Sequence, residues 1–231
     1  MTAGPRGRAP RIFAASVLIT ALLYVVPYGR TLAWPLVLVS TLAPELAHGL
    51  TAALLGGHFH SLRIQSDASG VALWSGAFGR IATGIVAGAG LLGPAIAAFV
   101  LLAVGRNQRR AQASLGIIGA GLCVVALVLV RNPFGLVFTL LLGSVLLLVA
   151  LRVPRASQTV VVLLAVQLAL SVFSRSDYLF TRTALTPAGP MPSDVAVMAA
   201  ALFLPYWFWG AACGVLSVIF LLLGVKLFFR P

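Results

Sequence analysis

The sequence predicts an all-α polytopic membrane protein with about six to seven transmembrane helices and a short β-hairpin after the second helix. Three observations carry this expectation. Of 231 residues, 61% are hydrophobic and only 9% are charged, against about 25% charged in an ordinary soluble domain. Apolar runs of 15 to 25 residues recur along nearly the whole chain, long enough as helices to cross a hydrocarbon core about 30 Å thick. The connectors between them are short and carry arginine, which suits headgroup depth.

The hydrophobic segments are read at 12–26, 32–55, 81–104, 113–130, 134–151, 159–174 and 196–229, within a single membrane domain spanning 1–231. The first follows Arg6, Arg8 and Arg11 and is taken as a span rather than a signal-peptide core, because the next run begins almost at once. The second ends at Gly56-Gly57. Residues 58–76 break the helical pattern: Leu62 and Ile64 alternate with Ser61, Arg63 and Gln65 before the turn-like Asp67-Ala68-Ser69-Gly70, which predicts an interfacial hairpin. Trp74 suits headgroup depth. Residues 177–193 are polar and Pro-rich, and the last apolar stretch is interrupted at Pro205.

The 16 basic residues against 4 acidic ones sit mainly in the connectors, so the anionic partner expected is the lipid bilayer and not nucleic acid. With the N-terminus inside and seven spans, basic residues divide evenly, 8 inside and 8 outside. The usual dominance of the first helix then favours a cytoplasmic N-terminus. Lys226 is the only lysine, a usage pointing to a GC-rich bacterial genome and so to the bacterial cytoplasmic membrane. Cys123 and Cys213 lie inside apolar runs without CxxC spacing and read as packing residues. Gly84-xxx-Gly88 and Gly210-xxx-Gly214 read as close helix contacts within the chain.

Glu45 is the only carboxylate inside a membrane span, and an ionised carboxylate near the bilayer centre costs about 2.5 to 3.5 kcal/mol even on lenient insertion scales. His48, three positions on, shares its helix face and can bond it directly or through water. One reading is a buried polar pair that locks two helices together. The other starts from HExxH, in which two histidines hold zinc and the glutamate activates the bound water. The chain reads Pro44-Glu45-Leu46-Ala47-His48: base and second ligand are present, and proline stands at the first ligand position.

Several further segments occur in a telling order: PELAHGLTAALLGGHFHSLRI, SDASGVAL, RNPFGLVFTLLLG and PSDVAVMAAALFLPYWFWG. Together they resemble the compact bacterial branch of the site-2-protease-like integral membrane metallopeptidases. In that branch they correspond to the HExxH helix with the strand after it, the following turn and strand, a mid-chain Arg-Asn segment, and a Ser-Asp motif ahead of the last span. The resemblance implies an intramembrane zinc site that cleaves substrates within or beside the bilayer. On it, Glu45 takes the general-base position and His48 a metal-ligand position, with Asp194 as the candidate carboxylate ligand and Asp177 behind it. It also implies that an exposed strand edge of the hairpin can take an extended substrate as an added strand; the other reading of the hairpin is a purely structural element on the membrane surface.

Pro44 departs from this pattern. It offers no metal-binding atom, and inside a helix it removes the bond to the carbonyl of Ser40 at a cost of about 3 kcal/mol or more. The helix is expected to kink there or to restart with Pro44 at its first position. Two protein ligands remain where a catalytic zinc normally has three. His58 and His60 lie about 15 to 18 Å beyond His48 if the helix continues, and are read as hydrated interfacial residues. The expected function is therefore a weakly active or inactive family member that binds a transmembrane partner. The alternatives are an active peptidase with a nonstandard third ligand and a small transporter centred on Glu45.

Overall fold

The computed structural model describes the backbone of residues 5–174, 176–186 and 189–230, and side chains over the same ranges except 5–9, 24, 30, 174, 176, 177, 185 and 186. The helices are α1 (Pro5–Val25), α2 (Gly29–Leu32), α3 (Trp34–Leu54), α4 (Arg80–Gly105), α5 (Gln108–Val128), α6 (Pro133–Arg152), α7 (Pro154–Ser174), α8 (Asp194–Leu202) and α9 (Tyr206–Phe229). Two antiparallel strand pairs interrupt them: β1 (His58–Ile64) with β2 (Gly70–Ser75), and β3 (Thr183–Thr186) with β4 (Gly189–Pro192). Among the described residues, six helices are long and apolar enough to cross a membrane: α3, α4, α5, α6, α7 and α9. The apolar part of α1 is shorter, Pro10–Leu23.

The architecture is that of an all-α polytopic protein, with two departures from the sequence expectation. The apolar stretch 196–229 is two helices. Phe203 adopts a left-handed conformation (φ 69°) and ends α8, and Pro205 starts α9. Nine residues of α8 rise only about 13.5 Å, too little to cross the bilayer. The helix runs along α4 instead, with Leu202 against Gly84 and Met198 against Gly88. Arg80 donates to the terminal carbonyls of Ala201 (3.0 Å) and Ala200 (3.2 Å), which α8 cannot satisfy itself, and its guanidinium lies 3.5 Å from the Phe203 ring centre. The second departure is the β3–β4 pair, in a Pro-rich stretch without alternation.

Chain reversal after α3 uses Gly56, at φ 85°. The β1–β2 hairpin then runs back along α3. Its base has exposed His58 and a bond between His60 Nε2 and Ser75 Oγ (2.6 Å). Its turn reaches Thr41, whose hydroxyl donates to Ala68 O at 2.7 Å, about 20 Å of helix before Leu54. Leu62 and Ile64 are fully buried in the helix bundle. Asp67 accepts from the Ser69 N–H (2.9 Å) and hydroxyl (2.7 Å) and tightens the turn; these bonds hold its carboxyl below the usual carboxylate range.

The core centres on α7, whose Val161, Val162 and Ala165 are wholly buried. A buried hydrogen bond from Gln167 Nε2 to Ser40 Oγ (2.9 Å) joins it to α3. Helices α5 and α6 form a close pair at Gly119 and Gly143. A Cβ on Gly119 would lie 2.6 Å from Leu147 N and 2.8 Å from Gly143 O, both backbone atoms that cannot yield cheaply. We expect Gly119→Ala to destabilise the protein in detergent by about 1 to 3 kcal/mol. Gly121→Ala, where nothing lies within 4 Å, should be neutral or stabilising by up to about 1 kcal/mol. Thermal unfolding of the two variants checks the helix contact directly.

Candidate metallopeptidase-like site

Helix α3 is continuous through Pro44, so the expected restart at that residue does not occur. The backbone interruption is absorbed within one helix, and Glu45 and His48 project from the same run of turns. Both line a cavity of about 400 Å³. The hairpin supplies one wall through Gly70, Ala72 and Trp74, and Tyr178, Met191 and Asp194 approach from the later part of the chain.

The Glu45 carboxylate accepts the Ala72 N–H through Oε2 at 2.7 Å, a short charge-assisted bond. It joins the spanning helix to the outer edge of β2. His48 donates from Nδ1 to Val86 O at 2.9 Å. That bond fixes the ring so that Nε2 faces Asp194, an ion-pair contact when the ring carries both protons. Nε2 lies 3.4 Å from Asp194 Oδ2, with side-chain exposures of 13% and 22%. The ring fits because residue 90 is glycine: a Cβ there would fall on the imidazole.

Asp194 reaches this depth through local helix chemistry. Ser193 is the N-cap of α8, its Oγ accepting the Ala196 N–H at 3.3 Å and donating to Thr181 O at 2.5 Å. Asp194 is thus the first helical residue, where the helix dipole favours a carboxylate. The Ser-Asp pair divides the work: serine fixes the helix start and aspartate faces His48. Asp177 lies in the 3-10 turn Ser176–Phe180, and its side chain is outside the described residues. His58 and His60 stay at the base of the hairpin with their rings 6.1 Å apart.

The geometry permits a test of the donor set for zinc. Two ligands about 2.0 to 2.2 Å from a tetrahedral zinc lie about 3.3 to 3.6 Å apart, and the 3.4 Å between His48 Nε2 and Asp194 Oδ2 falls in that range. The Val86 carbonyl behind the ring is the usual outer partner of a ligating histidine. These two residues fit the metal, and the described side chains supply no third donor beside them. Pro44 has no donor, and among the described residues no group of three or more His, Cys, Asp or Glu side chains is placed to hold a metal ion. Among the described residues, which do not include the Asp177 side chain, three protein ligands for a catalytic zinc are not brought together.

Sequence reasoning reached Glu45, His48 and Asp194 but missed the backbone groups of Ala72 and Val86 and the close seat at Gly90. The one available signal was the small-residue run Val86-Ala87-Gly88-Ala89-Gly90, which allows an imidazole to lie against α4.

No curated protein and no solved structure matches the chain. A family model described as Peptidase M50B-like matches residues 15–224, a range that takes in the helix of Glu45 and His48, the hairpin, the Arg131-Asn132 segment and the Ser193-Asp194 start of α8. The chain therefore belongs to the Peptidase M50B-like family, within the site-2-protease group of membrane metallopeptidases.

Proposed function

We propose that this chain is a family member with little or no proteolytic activity that binds a segment of a transmembrane partner in the cavity beside β2. The observation that carries the reading is the two-donor set: His48 and Asp194 stand at ligand spacing, while the first position of the HExxH pattern is Pro44. Glu45, at the general-base position, holds the Ala72 N–H and so helps fix the wall against which a partner segment lies. The outer edge of β2 lines the cavity at Gly70 and Ala72, and an extended segment added there takes over the Ala72 N–H from Glu45. The bilayer is the surrounding partner, and the arginine-rich, lysine-poor composition supports the bacterial cytoplasmic membrane.

A second reading, an active peptidase with an unconventional third ligand, is favoured by the 3.4 Å donor spacing. Restoring the missing donor separates the two. Pro44→His should bind zinc more than tenfold tighter than the parent in equilibrium dialysis, and adding His48→Ala should abolish the gain. Equal weak binding by parent and Pro44→His would leave Glu45 and His48 as a structural pair. Gly90→Ala in the Pro44→His background should displace the His48 ring and lower zinc affinity by about tenfold or more. The neighbouring Gly88→Ala, where a Cβ meets only the flexible end of Met198 at 3.3 Å, should leave it near the Pro44→His value.

A further inference from the structure

The Arg131-Asn132 segment has no part in the site as described so far, yet its side chains are committed. Asn132 is the N-cap residue of α6, and asparagine is among the best N-caps, but its side chain does not cap α6. Asn107, at the start of α5, shows the ordinary behaviour: its Oδ1 accepts the Arg109 and Arg110 N–H groups at 2.9 and 3.2 Å. Asn132 instead reaches out of its helix to strand β1. Its Oδ1 accepts the Ile64 N–H at 3.1 Å and its Nδ2 donates to Ile64 O at 2.6 Å, so the amide takes the place of a neighbouring strand's peptide group. Pro133 follows at the first helical position, where a missing N–H is tolerated.

The same connector pairs with the next outward-facing residue of β1. Leu62 donates to Leu129 O at 2.8 Å and accepts from Arg131 N at 3.1 Å, which makes a parallel bridge between Leu62 and Val130. Arg131 donates its guanidinium to Val128 O and Val130 O at the end of α5. Gly135 completes the contact: a Cβ there would lie 2.6 Å from Asn132 Oδ1 and 3.1 Å from both Ile64 N and Ile64 O. Residues 62 and 64 pair across the hairpin with 72 and 70. The edge closed by the α5–α6 connector is therefore opposite the edge that Ala72 turns to Glu45.

We propose that Asn132 is a positioning residue that latches the outer edge of β1 to the α5–α6 connector and thereby holds β2, with its cavity-facing edge, in register with Glu45. The proposal rests on the reading of that edge as the place where a partner segment lies, and it adds two consequences. A partner strand can reach only the β2 edge, where it would have to take the Ala72 N–H from Glu45, because the β1 edge is occupied between Leu62 and Ile64. Helices α5 and α6 are also tied to the site through this connector, so a displacement of the pair reaches Ala72 through two hydrogen-bonded strands.

Hydrogen exchange of the full chain in detergent, without zinc or partner, tests the latch independently of the partner reading. Asn132→Leu should speed exchange of the Ile64 and Ala72 N–H groups by at least tenfold, with much smaller changes in α4 and α9. Asn107→Leu, which removes a true helix cap, should leave both amides at the parent rate. Should Asn132→Leu fold too poorly to measure, Gly135→Ala should produce the same selective acceleration by crowding Ile64. Parent-like exchange at Ile64 and Ala72 in either latch variant would overturn the proposal, and so would acceleration spread evenly over all helices. Failure of Pro44→His to bind zinc would leave the exchange result standing.

Discussion

Backbone polar groups placed among membrane-spanning helices have little water to turn to, and each needs a partner from the protein. A strand pair with two open edges is the hardest element to satisfy under that constraint, and this chain sets one beside α3 with Leu62 and Ile64 fully buried. One edge is closed by Leu129, Arg131 and the Asn132 amide. On the other edge Ala72 is met by the carboxylate of Glu45. The only carboxylate of the early spans thus has a structural duty whatever its chemistry, since it accepts a backbone N–H that itself needs an acceptor.

The remainder of the site follows from two helix ends. Helix α8 starts beside His48, where Asp194 Oδ2 lies 3.4 Å from the ring Nε2. Ser193 satisfies that start and Asp194 uses the positive end of the helix. Arg80 closes the far end, donating to Ala200 and Ala201. On the facing side, the seat at Gly90 and the Val86 carbonyl orient the imidazole so that Nε2 meets Asp194. These features hold His48 and Asp194 together in a chain that has proline at the first position of the HExxH pattern.

Much of the architecture was legible because hydrophobic length is a strong signal in a bilayer: segments 81–104 and 134–151 lie within two residues of α4 and α6 at either end. Alternation at Leu62 and Ile64 revealed β1. The depth of the hairpin was not legible, because it depends on Thr41, Glu45 and Asn132 supplying bonds from elsewhere in the chain. The division of 196–229 was marked by Pro205, but the left-handed Phe203 was not, since a bulky aromatic residue carries no turn signal. Within the site, side chains with distinctive chemistry could be named in advance. Ala72 and Val86 could not, because they contribute only backbone groups, which carry no residue-specific signature.

The central claim is that His48 and Asp194 form a ligand pair without the third protein donor that a catalytic zinc requires. Zinc content of the unaltered chain, purified from its membrane without chelator and measured by mass spectrometry against protein concentration, tests it most directly. The account predicts well below one zinc per chain. About one zinc per chain, lost on His48→Ala, would contradict it and identify a working metal centre.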